Sequence, residues 1–372
     1  MFKFLSRNTY PKPVFSQNHP WLWFSLKFIG THSKEKSFTI SYLIDICGFP
    51  PHRAESLSKR MNFKTREKPD TVIQFLNNLG FSQTNTLKII RSVPEMLRTD
   101  PNKILQQKID FLKSKGFSDS DIRCIITGYP SILRAGLKGE IIPCFDFFNN
   151  MFESQHKFMK TVVRYSGILC NLAKCSALNI QYLKDEGVPE SIIIRFVEYF
   201  PRTLKVPSNR FKGLLQEVQD LGFNPLRLQF VIAVHIKVCL SRSTWARKEG
   251  VYRKWGWSDD DIAVAFRGHP FCMSISESKI EDAMDFLVNK LGFQVSDIAK
   301  YPVVLSMSLV KRIIPRGSVV LVLKSKGLVT KLNLGRIFRY DEKYFLDRFI
   351  YRHEKEADKL LKLYKAKLSL AG

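Results

Sequence analysis

Apolar residues recur at helical spacing in short stretches along this chain, and a glycine closes most of them. Leading into the run FLNNLGFSQTNTLKIIRSVPEML, Val72, Phe75, Leu76 and Leu79 share one face, which predicts a helix over 71–79. Gly80 should end it in the left-handed conformation that glycine adopts without steric cost. A second helix is expected to start from a polar cap such as Ser118-Asp119-Ser120-Asp121 or Ser258-Asp259-Asp260-Asp261, whose side-chain oxygens can accept from free backbone N–H groups. It carries Leu87, Ile89 and Ile90, or Ile122, Ile125 and Ile126, and should stop before a proline, which disfavours helical geometry in the preceding residue. A short third turn bearing an apolar residue then closes the unit.

With Gly80 as origin the arrangement recurs at Gly116, Gly187, Gly222, Gly256 and Gly292, with Phe152 in place of the one missing glycine; the steps are 36, 36, 35, 35, 34 and 36 residues. The next residue is Phe81, Phe117, Val188, Phe223, Trp257 or Phe293, with Glu153 the exception. Fourteen residues past the origin stand Pro94, Pro130, Pro201 and Pro270, with Ser166 and Ile236 at the equivalent place in two units and Pro302 ten residues on in the last. Three further on come Leu97, Leu133, Leu169, Leu204, Cys239, Met273 and Leu305. Val93, Tyr129, Tyr165, Phe200, His235, His269 and Tyr301 immediately precede the turn, and core packing is the expected role of these bulky groups.

Two helices and a turn cannot bury an apolar face alone, so neighbouring units must stack. The expected fold is an all-α superhelical solenoid, right- or left-handed, of about seven to eight units near 72–105, 108–140, 143–175, 178–210, 213–245, 248–280 and 283–310. VLVLKSKGL, from Val320 to Leu328, reads as a partial further unit, and 311–368 as a basic C-terminal cap that ends in a helical pair.

Charge narrows the class of partner. Lys and Arg number 59 against 34 Asp and Glu, a formal net charge of +25, which favours polyanions: nucleic acid or an anionic membrane surface. No stretch approaches the ~20 apolar residues a bilayer span requires. Cys47, Cys124, Cys144, Cys170, Cys175, Cys239 and Cys272 are scattered, with neither paired spacing nor a histidine cluster, as expected of reduced thiols rather than a disulfide framework or zinc site. Residues 1–37 are basic and rich in Ser and aromatics, without Asp or Glu as far as Lys34. That is the composition of an organellar transit peptide; a disordered basic arm is the other reading, and Pro11, Pro13 and Pro20 disfavour a secretory signal.

The phosphate-loop, zinc-protease, nucleophile-elbow and dinucleotide-fold signatures are all missing, so no enzyme, cofactor or metal is expected. His235 and His269 share one repeat position and are expected to pack; Asp259, Asp260 and Asp261 are expected to cap a helix rather than hold a cation.

The segments SVPEML, GYPSIL, YFPRTL, GHPFCM and KYPVVL resemble the mitochondrial transcription termination factor (mTERF) family, over Phe38 to Leu368. SYLIDICGFP at Ser41, FKTREKPDTVIQFL at Phe63, the DDDIAVAFRGHP run at Asp259 and KRIIPRGSVVLVLKSKGL at Lys311 are similar to its plant branch. The resemblance implies a stack of three-element units whose basic groove holds double-stranded nucleic acid, organellar targeting, and a role in transcription termination, organellar gene expression or RNA processing. Ser166 and Ile236 depart from the family's proline pattern.

The candidate contacts are basic residues recurring at fixed repeat positions. Arg98, Arg134 and Lys205 stand four residues past the turn proline; Arg91, Arg123, Arg164, Arg195, Arg202 and Arg267 lie on or near the second helices; Arg242, Lys311, Arg312 and Arg316 extend the supply towards the C-terminus. Such residues suit a phosphate backbone, which arginine can grip with two hydrogen bonds at once. The expected partner is duplex DNA, bound by a monomer in the mitochondrion, with the chloroplast as alternative. An RNA-binding factor for splicing or ribosomal RNA maturation and a protein-binding adaptor remain open.

Overall fold

A glycine with positive φ closes nearly every first helix of the repeat. In the computed structural model, which describes residues 38–170 and 173–369, these are Gly80 (φ 81°), Gly116 (91°), Gly187 (75°), Gly222 (82°), Gly256 (86°) and Gly292 (74°). The same device stands at Gly327 (φ 66°), one period beyond Gly292, and at Gly48 (φ 66°) ahead of the first recognised unit. Phe152, a residue that cannot take that conformation cheaply, instead follows a helix whose last cap, Asn150, stays right-handed at φ −68°. The expected targeting segment 1–37 lies outside the described residues, as does the side chain of Cys175.

The chain divides into two compact units at Lys64 and Thr65. In the described part of the first, helices Phe38–Asp45 and Pro51–Ser58 follow the same helix–glycine–helix plan. Thr39 Oγ1 meets Asn62 Oδ1 at 3.0 Å and accepts from the Phe63 N–H, while Tyr42 packs edge-on against the Phe63 ring.

In the second unit the first helices are Glu67–Asn78, Gln106–Ser114, Ile142–Asn149, Ala173–Asp185, Ser208–Asp220, Arg242–Lys254, Glu277–Met284 and Ile314–Ser325. The first of these begins earlier than the apolar spacing predicts. Pro69 is tolerated in an opening turn, and Glu67 and Asp70 suit the positive end of the helix dipole. The second helices are Gln83–Ser92, Asp119–Gly128, Gln155–Arg164, Glu190–Tyr199, Leu228–Cys239, Asp259–Gly268 and Val295–Lys300. Ser118 with Asp121, and Ser258 with Asp261, form the reciprocal caps at their starts. Each second helix touches the next one along, and several first helices and turns also meet their neighbours, as in a solenoid.

The third element is a tight 3-10 turn at Pro94–Arg98, Pro130–Leu133, Pro201–Lys205, Pro270–Ser274 and Pro302–Ser306. Ser166–Leu169 forms the same turn without a proline: Tyr165 takes φ −138° and ψ 78°, beside −145° and 76° at Tyr129 and −153° and 85° at His269. Where Ile236 replaces proline the expected turn does not form. Nothing there removes a helical N–H, so Leu228–Cys239 runs on as one helix with Phe230, Val231, Ile232, Ala233, Val234 and Ile236 all buried.

The turns end in buried carbonyls, and side chains from the first helices satisfy them. Buried Lys108 donates to the Leu133 carbonyl; Asn179 Nδ2 donates to Leu204 (3.1 Å) and Val206 (2.8 Å); buried Lys248 donates to Ile275 and Lys279 to Ser306 (3.0 Å). Tyr252 Oη adds a bond to the Cys272 carbonyl at 2.8 Å. Burial lowers the pKa of Lys108, Lys248 and Lys279. At the C-terminal end, Ala357–Ser369 packs along Ile314–Ser325, with Phe345 and Tyr364 buried in the cap.

The two proline-free positions predict opposite responses. Ser166 is buried with an unpartnered hydroxyl and its backbone already follows the proline turn, so Ser166→Pro should stabilise the chain by about 0.5–1 kcal/mol. Ile236→Pro would break a continuous helix and should cost about 3 kcal/mol or more. Urea denaturation of both variants distinguishes them; destabilisation by Ser166→Pro would refute the equivalence of the turns.

Candidate nucleic-acid interface

The turns carry cations on short leashes. Arg98 ends the first turn, Arg134 follows the second, and Arg202 and Lys205 both lie in Pro201–Lys205; all four are exposed. Two are held over aromatic rings of neighbouring units. The Arg202 guanidinium sits 4.9 Å from the Tyr165 ring centre, and Lys205 Nζ lies 5.3 Å from Tyr129 and 5.9 Å from Tyr165. Gly167 lets this happen, since a Cβ there would stand 3.1 Å from the Tyr165 ring and 3.4 Å from that of Tyr129.

The residues ahead of the turn are therefore not core residues throughout. Val93 is buried, but Tyr129, Tyr165, Phe200, His235, His269 and Tyr301 are half-buried and form an edge beside the turns. His235 stacks on Phe200 at 4.2 Å and shares a 2.8 Å hydrogen bond with Thr203 Oγ1. His269 bonds Ser306 Oγ at 2.8 Å. Burial lowers both imidazole pKa values, that of His235 to about 4, so His235 is neutral near pH 7. Burial likewise pushes the Cys170 thiol, at the position occupied by Arg134 and Lys205 in their units, up to about 12.

Five of the candidate arginines are engaged with backbone. Arg123 donates to the Leu79 carbonyl and Arg267 to that of Leu221, each at 3.3 Å and each one residue before a left-handed glycine. Gln155 does the same to Lys115 at 3.0 Å. Arg164 donates to the Glu198 carbonyl and lies 5.1 Å from the Tyr199 ring centre. Arg312 donates to Phe338 (2.6 Å) and Arg339 (3.0 Å). Arg316, only 2% exposed, donates to Ile337 (3.0 Å), Tyr340 (2.8 Å) and Asp341 (3.1 Å), with its guanidinium 4.7 Å from the Phe345 ring centre. This burial makes Arg316 a clamp inside the C-terminal cap, not a surface contact. Arg91, Arg195, Arg242 and Lys311 are exposed.

Sequence spacing points to the cations of the turns but misses the tyrosines that hold two of them. It also misses the buried lysine clamps, although Lys108 and Asn179 each stand 25 residues ahead of their turn leucines, Leu133 and Leu204. Among the described residues no three His, Cys, Asp or Glu side chains gather as a metal site would need, and no helix is long and apolar enough to cross a membrane.

Comparison with known proteins adds an independent line. The mTERF family profile matches residues 73–237 and 171–346. The chain is 24% identical over 154 residues to the Arabidopsis thaliana protein named transcription termination factor MTERF8, chloroplastic, a match covering 41% of this chain and 30% of that protein. It is 22% identical over 385 residues to transcription termination factor MTERF15, mitochondrial, also of Arabidopsis thaliana, covering 93% of this chain and 86% of that protein.

The lowered His235 pKa fixes a pH dependence. The unfolded imidazole takes its proton near pH 6.5 and the folded one only near 4, so His235 contributes full stability above about 6.5 and loses it as pH falls towards 4. His235→Phe, which keeps the stack on Phe200, should therefore lose less stability than the parent between pH 7 and 5. Urea midpoints at the two pH values test this; equal losses in both proteins would mean that His235 titrates normally.

Proposed function

The chain belongs to the mTERF family, and on that premise we propose that it is a nucleic-acid-binding regulator of organellar transcription, including termination, that grips duplex DNA by its sugar-phosphate backbone along the row of turns. The observation that carries this reading is the exposed Arg202–Lys205 pair over Tyr129 and Tyr165, which joins cations and rings from three successive units at one edge. Cations held by rings are partly ordered before binding, so less side-chain freedom is lost when a phosphate arrives. Arg98 and Arg134 continue the row at repeat intervals, which suits a polymer with evenly spaced charges. The net charge of +25 supplies the attracting field.

A mitochondrial site of action is favoured because the relative named as mitochondrial matches along 93% of this chain, against 41% for the chloroplastic one. The transit-like composition of residues 1–37 supports import into an organelle. The chain is proposed to act as a monomer.

Two measurements test the proposal. Arg202→Ala/Lys205→Ala should weaken duplex DNA binding about tenfold at low salt and flatten the log–log salt dependence by roughly two, whereas Lys290→Ala, an exposed cation outside the turns, should change affinity less than about twofold. Equal losses from both variants would show that diffuse charge, not the turn row, does the binding. Crosslinking in isolated organelles with sequencing of bound DNA and RNA then identifies the cargo: promoter or terminator DNA supports the proposal, and intron or ribosomal RNA alone overturns its DNA part.

A further inference from the structure

First helices of three successive units leave a cleft of about 450 Å³ between them, lined by Lys254, Trp255, Glu281, Asp282, Asp285, Phe286, Leu309 and Ile314. No residue of the proline turns contributes to it. Its apolar walls are Trp255, Phe286, Leu309 and Ile314, each half-buried. Two local features of the fold accompany the cleft. The helical backbone widens to i→i+5 turns at Asp285–Lys290 and Leu309–Ile313. Gly317 admits the Phe286 ring against the following helix, where a Cβ would stand 2.5 Å from Phe286 Cε1.

The rim is acidic in a chain that is otherwise strongly basic. Glu281 is paired with Lys254 at 3.0 Å, but Asp282 and Asp285 are exposed and join no ion pair among the described residues. Among the described residues the Asp285 carboxylate accepts from Asn289 Nδ2 alone, at 2.7 Å. The Trp255 indole N–H is buried without an acceptor. Carboxylates at the rim repel phosphate, so this cleft does not extend the nucleic-acid face. They favour a cation beside an apolar anchor; the enclosed indole N–H of Trp255 offers an incoming group no contact.

We propose that this cleft is a docking site for a protein partner: a helical segment with one or two large apolar side chains flanked by Lys or Arg. The apolar anchors would enter between Trp255, Phe286, Leu309 and Ile314, and the flanking cations would meet Asp282 and Asp285. Because the cleft belongs to the first-helix row and the proposed phosphate contacts to the turns, partner and nucleic acid can be held at the same time.

The test uses the full chain and a short labelled amphipathic peptide with a leucine face and lysine flanks, alongside the same peptide with glutamate in place of lysine. Fluorescence anisotropy should show binding of the lysine peptide alone, weakened at least about fivefold in Asp282→Asn/Asp285→Asn. Both aspartates are exposed, so the double variant should keep its fold, which circular dichroism and an unchanged duplex affinity confirm. Equal binding of both peptides, or no loss in the variant, overturns the proposal. So does sedimentation showing a self-associating dimer that the double variant abolishes, since the occupant would then be a second copy of the chain.

Discussion

Where a turn of this protein ends in the core it strands backbone carbonyls that water reaches poorly, while the helix ends at the glycine stops leave carbonyls nearer the surface. Leaving such a group unpaired costs about 1–3 kcal/mol, more than most single contacts contribute. One set of side chains meets this constraint at the turn ends, and a second serves the more exposed helix ends. Lys108, Asn179, Lys248 and Lys279 reach from first helices to the ends of turns, and Arg123, Gln155 and Arg267 reach across units to the carbonyl before a left-handed glycine or its equivalent. Long side chains with several donors suit the task because one headgroup can serve two acceptors. Part of the basic composition is thus structural, and the units are joined by hydrogen bonds as well as by apolar packing.

That division explains what could be read from the sequence and what could not. The period, the glycine stops, the Ser–Asp caps and the proline turns each act within a few residues, so their spacing reveals them. Whether an arginine grips a neighbouring carbonyl or points to solvent depends on residues some 40 positions away, such as Leu79 for Arg123 and Leu221 for Arg267. Nothing local separates Arg123 from Arg134, yet the first is half-buried against backbone and the second is exposed. Arg316 is the extreme case: its run reads as basic surface, and only the fold of residues 337–341 encloses it.

The two units without proline show how far a local signal can be trusted. Ser166 lies between Tyr165 and Gly167, and the Tyr165 ring folded onto that glycine is compatible with the same extended backbone that proline enforces elsewhere. Ile236 sits in a run of apolar residues whose burial rewards continued helix, and with no proline to remove an N–H the helix simply continues. The motif therefore has two separable parts, a backbone bend and an apolar plug. Proline is one way to obtain the bend, and packing is another.

A solenoid also divides its surface by element, because each element type forms its own row. Turns that end in Arg or Lys give one row a spaced line of positive charge, while the first helices of later units gather Glu281, Asp282 and Asp285 around an apolar gap. Charges of opposite sign on separate rows neutralise each other little once they are farther apart than the screening length of about 8 Å at physiological salt. Each row can then keep its own electrostatic preference although the chain carries a large net charge. Within the second unit, stacking repeats gives each element type a surface of its own.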